Sequence, residues 1–141
     1  MKPTDNMKPA DKIIKRTLIL FTLIGMILFS LAGCVTVPEN IPAEMTALEF
    51  FHKAQEAVSA RNDYKTALFY YETFLERFPA DPRRAEALYE IGFIYYKTGQ
   101  YAAAEEYFNS LIQLYKAPGA DKLPRWPYTL AEKLLTSIEE K

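Results

Sequence analysis

Few side chains in this sequence are of types that do chemistry, and those few do not converge. It holds one cysteine, Cys34, and one histidine, His52. A thiol can accept a thioether, and Cys34 follows the small residues Ala32 and Gly33, which leave the backbone beside it accessible. One cysteine cannot form an internal disulfide. His52 has no cysteine near it with the spacing of a zinc site, so it reads as a solvated residue and no metal is expected. The acidic pairs Glu105-Glu106 and Glu139-Glu140 are neighbours on one helix face each, not the opposed carboxyls of an acid and a base. Gly99 belongs to a turn, and no glycine-rich phosphate loop exists. No catalytic residue is assigned, and the chain reads as a non-enzyme.

The elements around Cys34 say what its thiol is for. Lys12, Lys15 and Arg16 form a positive flank, Thr17 to Leu31 is an apolar run, and Leu31-Ala32-Gly33-Cys34 closes it. This segment resembles the signal peptide and lipobox of bacterial lipoproteins. The resemblance implies that residues 1–33 are removed and that Cys34 carries a diacylglycerol thioether and an N-acyl chain such as palmitate. That covalent lipid is the only cofactor expected. Two acyl chains or more anchor a protein stably, at roughly 0.8 kcal/mol per buried CH2. Two other readings stay open: an uncleaved membrane helix over Thr17 to Val37, which is long enough to span, and a cysteine buried in an apolar helix. Cleavage and spanning both leave the body outside the cytoplasm, because the positive flank stays inside. Val35 follows the cysteine. By the sorting rule of enteric lipoproteins, a residue other than Asp there implies the outer membrane, periplasmic face. Residues 34–43 are the lipidated cysteine and a tether, kept extended by Pro38 and Pro42. They hold the body within roughly 30 Å of the bilayer.

Charge divides the chain at the same place. Residues 1–33 carry a net +3 and residues 34–141 a net −4. An acidic body lacks the basic face that a nucleic-acid partner requires.

The body, residues 44–141, is a repeat. Leu88, Ile91, Ile94 and Tyr95 recur at helical spacing before Thr98-Gly99-Gln100, and Tyr101, Ala104, Phe108, Leu111, Ile112 and Tyr115 after it. Gly92 and Ala104 are small where two such helices must approach. A shift of 37 residues lays Phe51, Ala54, Ala57 and Val58 on the first set, and Tyr64, Ala67, Tyr71, Phe74, Leu75 and Phe78 on the second. Arg61-Asn62-Asp63 is the earlier turn and Pro79 ends its second helix. Asp81 is then expected as the N-cap of the next helix and Pro82 as its first residue. The repeats cover about 47–81 and 84–116. Lys116 to Trp126 reads as a loop broken by Pro118, Gly119 and Pro124. A helix over about 127–140 follows, its apolar stripe made by Tyr128, Ala131, Leu134, Leu135 and Ile138. It reads as a cap or as part of a third repeat.

Leu88, Gly92, Tyr95, Ala104 and Phe108, with Phe51, Ala67, Tyr71 and Pro79 before them, fall on the signature positions of the tetratricopeptide repeat (TPR). The resemblance implies an all-α fold of TPR helix-turn-helix units: two repeats plus a C-terminal capping helix. The longer spacing, the lipobox and Gly99-Gln100-Tyr101 through Ala104 together resemble the BamD-like outer-membrane lipoproteins, whose members carry more repeats than this chain. That resemblance implies a role in assembling β-barrel proteins into the outer membrane.

In such repeats the first helix lines the concave face. Glu86, Tyr89, Phe93, Tyr96 and Lys97 are placed there from the second repeat, and His52 and Glu56, with Glu49 and Ser59, from the first. Tyr89, Phe93 and Tyr96 form one stripe, suited to an extended or helical peptide of a protein partner in the cell envelope. The competing reading packs the stripe against the first repeat or the last helix. No small-molecule substrate is expected. The functions open at this point are barrel assembly, a pilus, secretion or cell-division complex, and a structural envelope lipoprotein without a peptide ligand.

Overall fold

The computed structural model describes residues 41–140, so Cys34 and its flanks lie outside the described residues. The regular structure is all helical: α1 (Ala47–Arg61), α2 (Tyr64–Arg77), α3 (Arg84–Lys97), α4 (Tyr101–Leu114), a 3-10 turn (Ala120–Lys122) and α5 (Arg125–Glu139). Consecutive helices form TPR-like helix-turn-helix units, α1 with α2 and α3 with α4. α5 follows α4 as α3 follows α2, and it also packs against α3.

Local chemistry explains the breaks. α1 starts at a capping box: the Glu49 N–H donates to Thr46 Oγ1 at 3.3 Å and the Thr46 N–H to Glu49 Oε2 at 2.8 Å. It ends at Asn62, whose φ of 50° is left-handed, a conformation asparagine tolerates. Asp63 then caps α2 by accepting from the Thr66 N–H at 3.1 Å. In the second unit Gly99, 37 residues on from Asn62, is again left-handed at φ 78°. The two turns solve one geometric problem with the two residue types that pay least for it.

Two starts differ from the sequence expectation. α3 begins at Arg84, not at Pro82, and its N-cap is Arg83. The Asp81 carboxylate does not cap the helix because the Arg83 guanidinium takes it: Oδ1 accepts from Nε at 2.9 Å and Oδ2 from NH2 at 2.7 Å. A two-pronged charged pair outweighs a single cap bond. Oδ1 also accepts from the Arg83 backbone N–H at 2.9 Å, which folds residues 81–83 into a turn before the helix. α5 begins at Arg125 rather than Pro127. A helix needs no N–H partners in its first turn, so Pro127 sits there without loss. Arg125 and Trp126 are therefore helical, not loop.

The core is built from aromatic edges and small residues. Phe51 meets Tyr71 edge-on at 5.4 Å and Phe74 at 5.8 Å, which locks α1 to α2. Ala87, Ile91 and Ile94 of α3 join the same cluster. The second cluster gathers Leu88, Tyr89, Ala104, Phe108 and Leu111 with Ala131 of α5. Leu75, Tyr95 and Tyr107 pack against both, so the core is continuous across the units. Gly92 sits where α3 meets α4: a Cβ there would stand 2.5 Å from Phe108 Cε1 and 2.7 Å from Cδ1. Phe108 is fully buried and cannot swing clear. Gly92→Ala is therefore expected to destabilise the fold by about 1–3 kcal/mol, despite alanine's better helix propensity. A urea unfolding curve checks this; an unchanged or raised midpoint would show that the α3–α4 contact yields.

Candidate functional site

The candidate site is α3, and helical register divides its outer surface into two flanks. One flank carries Ala85, Tyr89, Gly92 and Tyr96. The other carries Glu86, Glu90, Phe93 and Lys97. The expected stripe of Tyr89, Phe93 and Tyr96 straddles the two.

The first flank is occupied by α5. Tyr89 is only 8% exposed, stacks on Phe93 at 5.9 Å and receives the edge of Trp126 at 5.2 Å. The Tyr96 hydroxyl is hydrogen-bonded to Ser137 Oγ at 3.0 Å. α5 is held in this position at its start, where the Tyr115 hydroxyl donates to the Pro124 carbonyl and the Tyr115 ring meets Tyr128. Tyr89 is thus a packing residue of the chain's own core, which corrects its placement in an open groove. The physical reason is Trp126, which the early start of α5 brings onto the helix.

The second flank stays open toward α1. The residues 37 positions back from Ala85, Tyr89 and Tyr96 are Leu48, His52 and Ser59 of α1. On α3 these positions are buried or half-buried under α5; on α1 all three are exposed, Leu48 by 50%. Glu56 is exposed as well, at the end of α1, 3.9 Å from Arg61. The flank of α3 that meets α5 is covered, whereas the matching positions on α1 are exposed.

Charge collects on the second flank of α3. Glu86 and Glu90 lie one turn apart, both half-buried, and neither forms an ion pair among the described residues. Burial pushes the Glu90 carboxyl above its ordinary value, and Glu86 adds to the rise. Burial raises Glu86 too, partly offset by Arg83. Lys97 closes the far end, its Nζ 5.6 Å from the Tyr64 ring centre and 5.9 Å from that of Phe93. Of the residues expected from sequence, Glu86, Phe93 and Lys97 share this flank, and His52 belongs to the facing helix. Glu90 was missed, although its spacing to Glu86 and Lys97 is as regular as that of the tyrosine stripe. No group of three or more His, Cys, Asp or Glu able to hold a metal ion occurs among the described residues. No helix among them is long and apolar enough to cross a membrane.

Comparison with known proteins agrees with the geometry. The family model of the tetratricopeptide repeat matches residues 85–118, which span α3, α4 and the start of the following loop. The chain therefore contains a TPR unit, a type of unit that generally serves as a non-enzymatic scaffold for binding proteins. An uncharacterized protein of Treponema pallidum (strain Nichols) is 31% identical over 113 residues, which are 78% of this chain and 44% of that protein. The chain thus spans less than half the length of that relative. No solved structure matches it.

A half-buried, unpaired carboxylate costs stability when charged. The Glu90 pKa is raised on folding, so its contribution is most favourable below the ordinary value of 4.5 and is lost as pH rises through the folded value. Glu90→Gln is expected to raise the urea midpoint at pH 7 and to lose that advantage at pH 4. A variant less stable than the parent at pH 7 would mean that the carboxylate has a stabilising partner.

Proposed function

We propose that this chain is a lipid-anchored, non-enzymatic scaffold that binds protein partners at the periplasmic face of the bacterial outer membrane, in the assembly of β-barrel proteins. The observation that carries the scaffold reading is the TPR unit with one flank of α3 left open toward α1. The lipobox ending at Cys34 supports the anchor, and Val35 supports the outer membrane over the inner. The resemblance to BamD-like lipoproteins supports barrel assembly.

A second reading, a structural envelope lipoprotein without a peptide ligand, is favoured by a different observation. The Tyr89 end of the concave face is filled by Trp126 of the same chain. The two readings differ in whether the remaining open flank holds a partner.

The anchor is tested first. Cys34→Ser is expected to abolish incorporation of labelled palmitate in cells and to release the body from the membrane fraction. A variant that stays in the membrane unlabelled would favour the spanning helix over Thr17 to Val37. The partner is tested by crosslinking and pull-down from intact cells, comparing the parent with a Phe93→Ala, Lys97→Ala double variant. Recovery of the barrel-forming subunit, lost in the variant, is the expected result. Loss of other envelope proteins instead would move the function to a pilus, secretion or division complex. Recovery that ignores the variant would favour the structural reading.

A further inference from the structure

The connections between the units gather at one end of the molecule. Each hairpin turns back on itself, so α1, α3 and α5 start at the end where α2 and α4 finish. Pro82 and Arg84 of the first connection and Leu114, Pro118 and Leu123 of the second line one cavity of about 200 Å³. The chain enters the body at this end as well. Ile41 and Met45 pack on the first core cluster. Phe50, in the first turn of α1, meets the Phe78 ring at 5.9 Å and carries the Arg77 guanidinium over its face at 5.3 Å.

Charge singles out the same end. From the last residue of α2 to the first of α3, and from the last of α4 to the first of α5, stand six Lys/Arg and two Asp, a net +4. The rest of residues 41–140 holds five Lys/Arg and thirteen Asp/Glu, a net −8. Counting the flanking Glu44 and Glu76 still leaves this end at +2. Of the six cations only Arg83 is in an ion pair among the described residues, with Asp81. Arg77, Lys116, Lys122 and Arg125 are exposed. The two most exposed large apolar side chains among the described residues lie here too. They are Leu48 at 50% and Trp126 at 41%, in the first turns of α1 and α5. A bilayer interface takes up this mixture: lipid phosphates meet the cations, and an indole settles at headgroup depth.

We propose that this end of the body is a membrane-docking surface that lies on anionic phospholipid headgroups. The inference rests on the lipid-anchored reading above and adds which end of the scaffold faces the bilayer. Residues 35–40 separate Cys34 from Ile41, and six residues span at most roughly 20 Å. An anchor at Cys34 thus keeps the entry to α1 near the headgroups, and the connections are the part of the body beside that entry. Surface charges act over roughly 8 Å at physiological ionic strength, so only an end held this close feels the lipid. The acidic remainder is repelled by the same headgroups, which favours one orientation over the others.

Trp126 is the only tryptophan in the chain, so its fluorescence reports on this end alone. The full chain, purified from membranes in nonionic detergent, is reconstituted into phosphatidylcholine vesicles with or without phosphatidylglycerol, and quenching of Trp126 by acrylamide is measured. Anionic vesicles are expected to lower the quenching constant about threefold relative to neutral ones, and added salt to reverse the effect. Arg77→Gln, Lys116→Gln and Lys122→Gln together should abolish the difference; Arg125, beside the reporter, is left in place. The matched control Lys53→Gln, Lys65→Gln, Lys133→Gln removes three exposed cations elsewhere and should keep it. Circular dichroism confirms that each variant is folded. Equal quenching on both vesicles, with the chain still floating with the lipid, would overturn this inference and leave the anchor standing. A chain that floats with neither vesicle would overturn the anchor and this inference with it. Loss of the difference in the control would overturn it in favour of unspecific attraction. Shielding in native membranes but not on pure lipid would also overturn it, by assigning this end to a membrane protein.

Discussion

The close approach of α3 to its neighbours is the constraint on which the rest of this structure depends. A helical hairpin cannot bury its apolar faces alone; it needs the next unit. α3 lies in the middle and is buried on most of its circumference, with Ala85, Ala87, Leu88, Tyr89, Ile91, Gly92 and Ile94 all out of solvent. The absence of a side chain at Gly92 lets the Phe108 ring seat against the helix backbone. Ala87 and Ile91 share a cluster with Tyr71 and Phe74 of the preceding unit. Small residues on α3 thus turn two hairpins into one core.

The same burial sets the electrostatics. A helix packed on so many sides leaves little room for polar groups, and those that remain are partly desolvated. Glu86 and Glu90 are therefore raised, and Tyr71 and Tyr89 are held away from ionisation, all with burial as the first cause. Farther out, the Tyr107 hydroxyl donates to Glu72 at 3.3 Å and its pKa is pushed up to about 12 by burial and by that carboxylate. Tyr95 stacks on Tyr107 at 5.6 Å and is raised by burial first, then by Glu72. The tyrosines that join one unit to the next double as hydroxyl donors at the edge of the core, which accounts for part of the aromatic excess.

α5 decides what the concave face can be. It takes the place that the first helix of a further unit would take, and Trp126 and Ser137 meet Tyr89 and Tyr96 there. The aromatic stripe is thereby divided between core and surface. Its Tyr89 end stabilises the fold; Phe93, one turn further on, packs against the same cluster and lies under Lys97. The part of α3 left uncovered carries Glu86, Glu90 and Lys97 rather than a stripe of tyrosines.

Most of the architecture was legible in the chain itself. Helical periodicity, a shift of 37 residues, and Asn62 and Gly99 at equivalent breaks are local or repeating signals, and backbone sterics read them directly. That Gly92 lies where two helices approach followed from its size; that the Phe108 ring fills the space came from the tertiary structure. The misplaced starts of α3 and α5 have one cause in common. Asp81 could cap a helix or bind a guanidinium, and Pro127 could open a helix or sit in its first turn; three-dimensional neighbours chose between them. The site was legible only in part, because a stripe of tyrosines at helical spacing fits a groove and a core equally well. Whether Tyr89 is covered depends on where a helix 40 residues later comes to rest, and no local pattern encodes that. The sequence by itself determined the repeat, the turns and the residues that must be buried, since those follow from side-chain size and backbone freedom. Only the tertiary structure decided which flank of α3 is shut and which carboxylates are left unpaired, since those depend on distances between elements far apart in the chain.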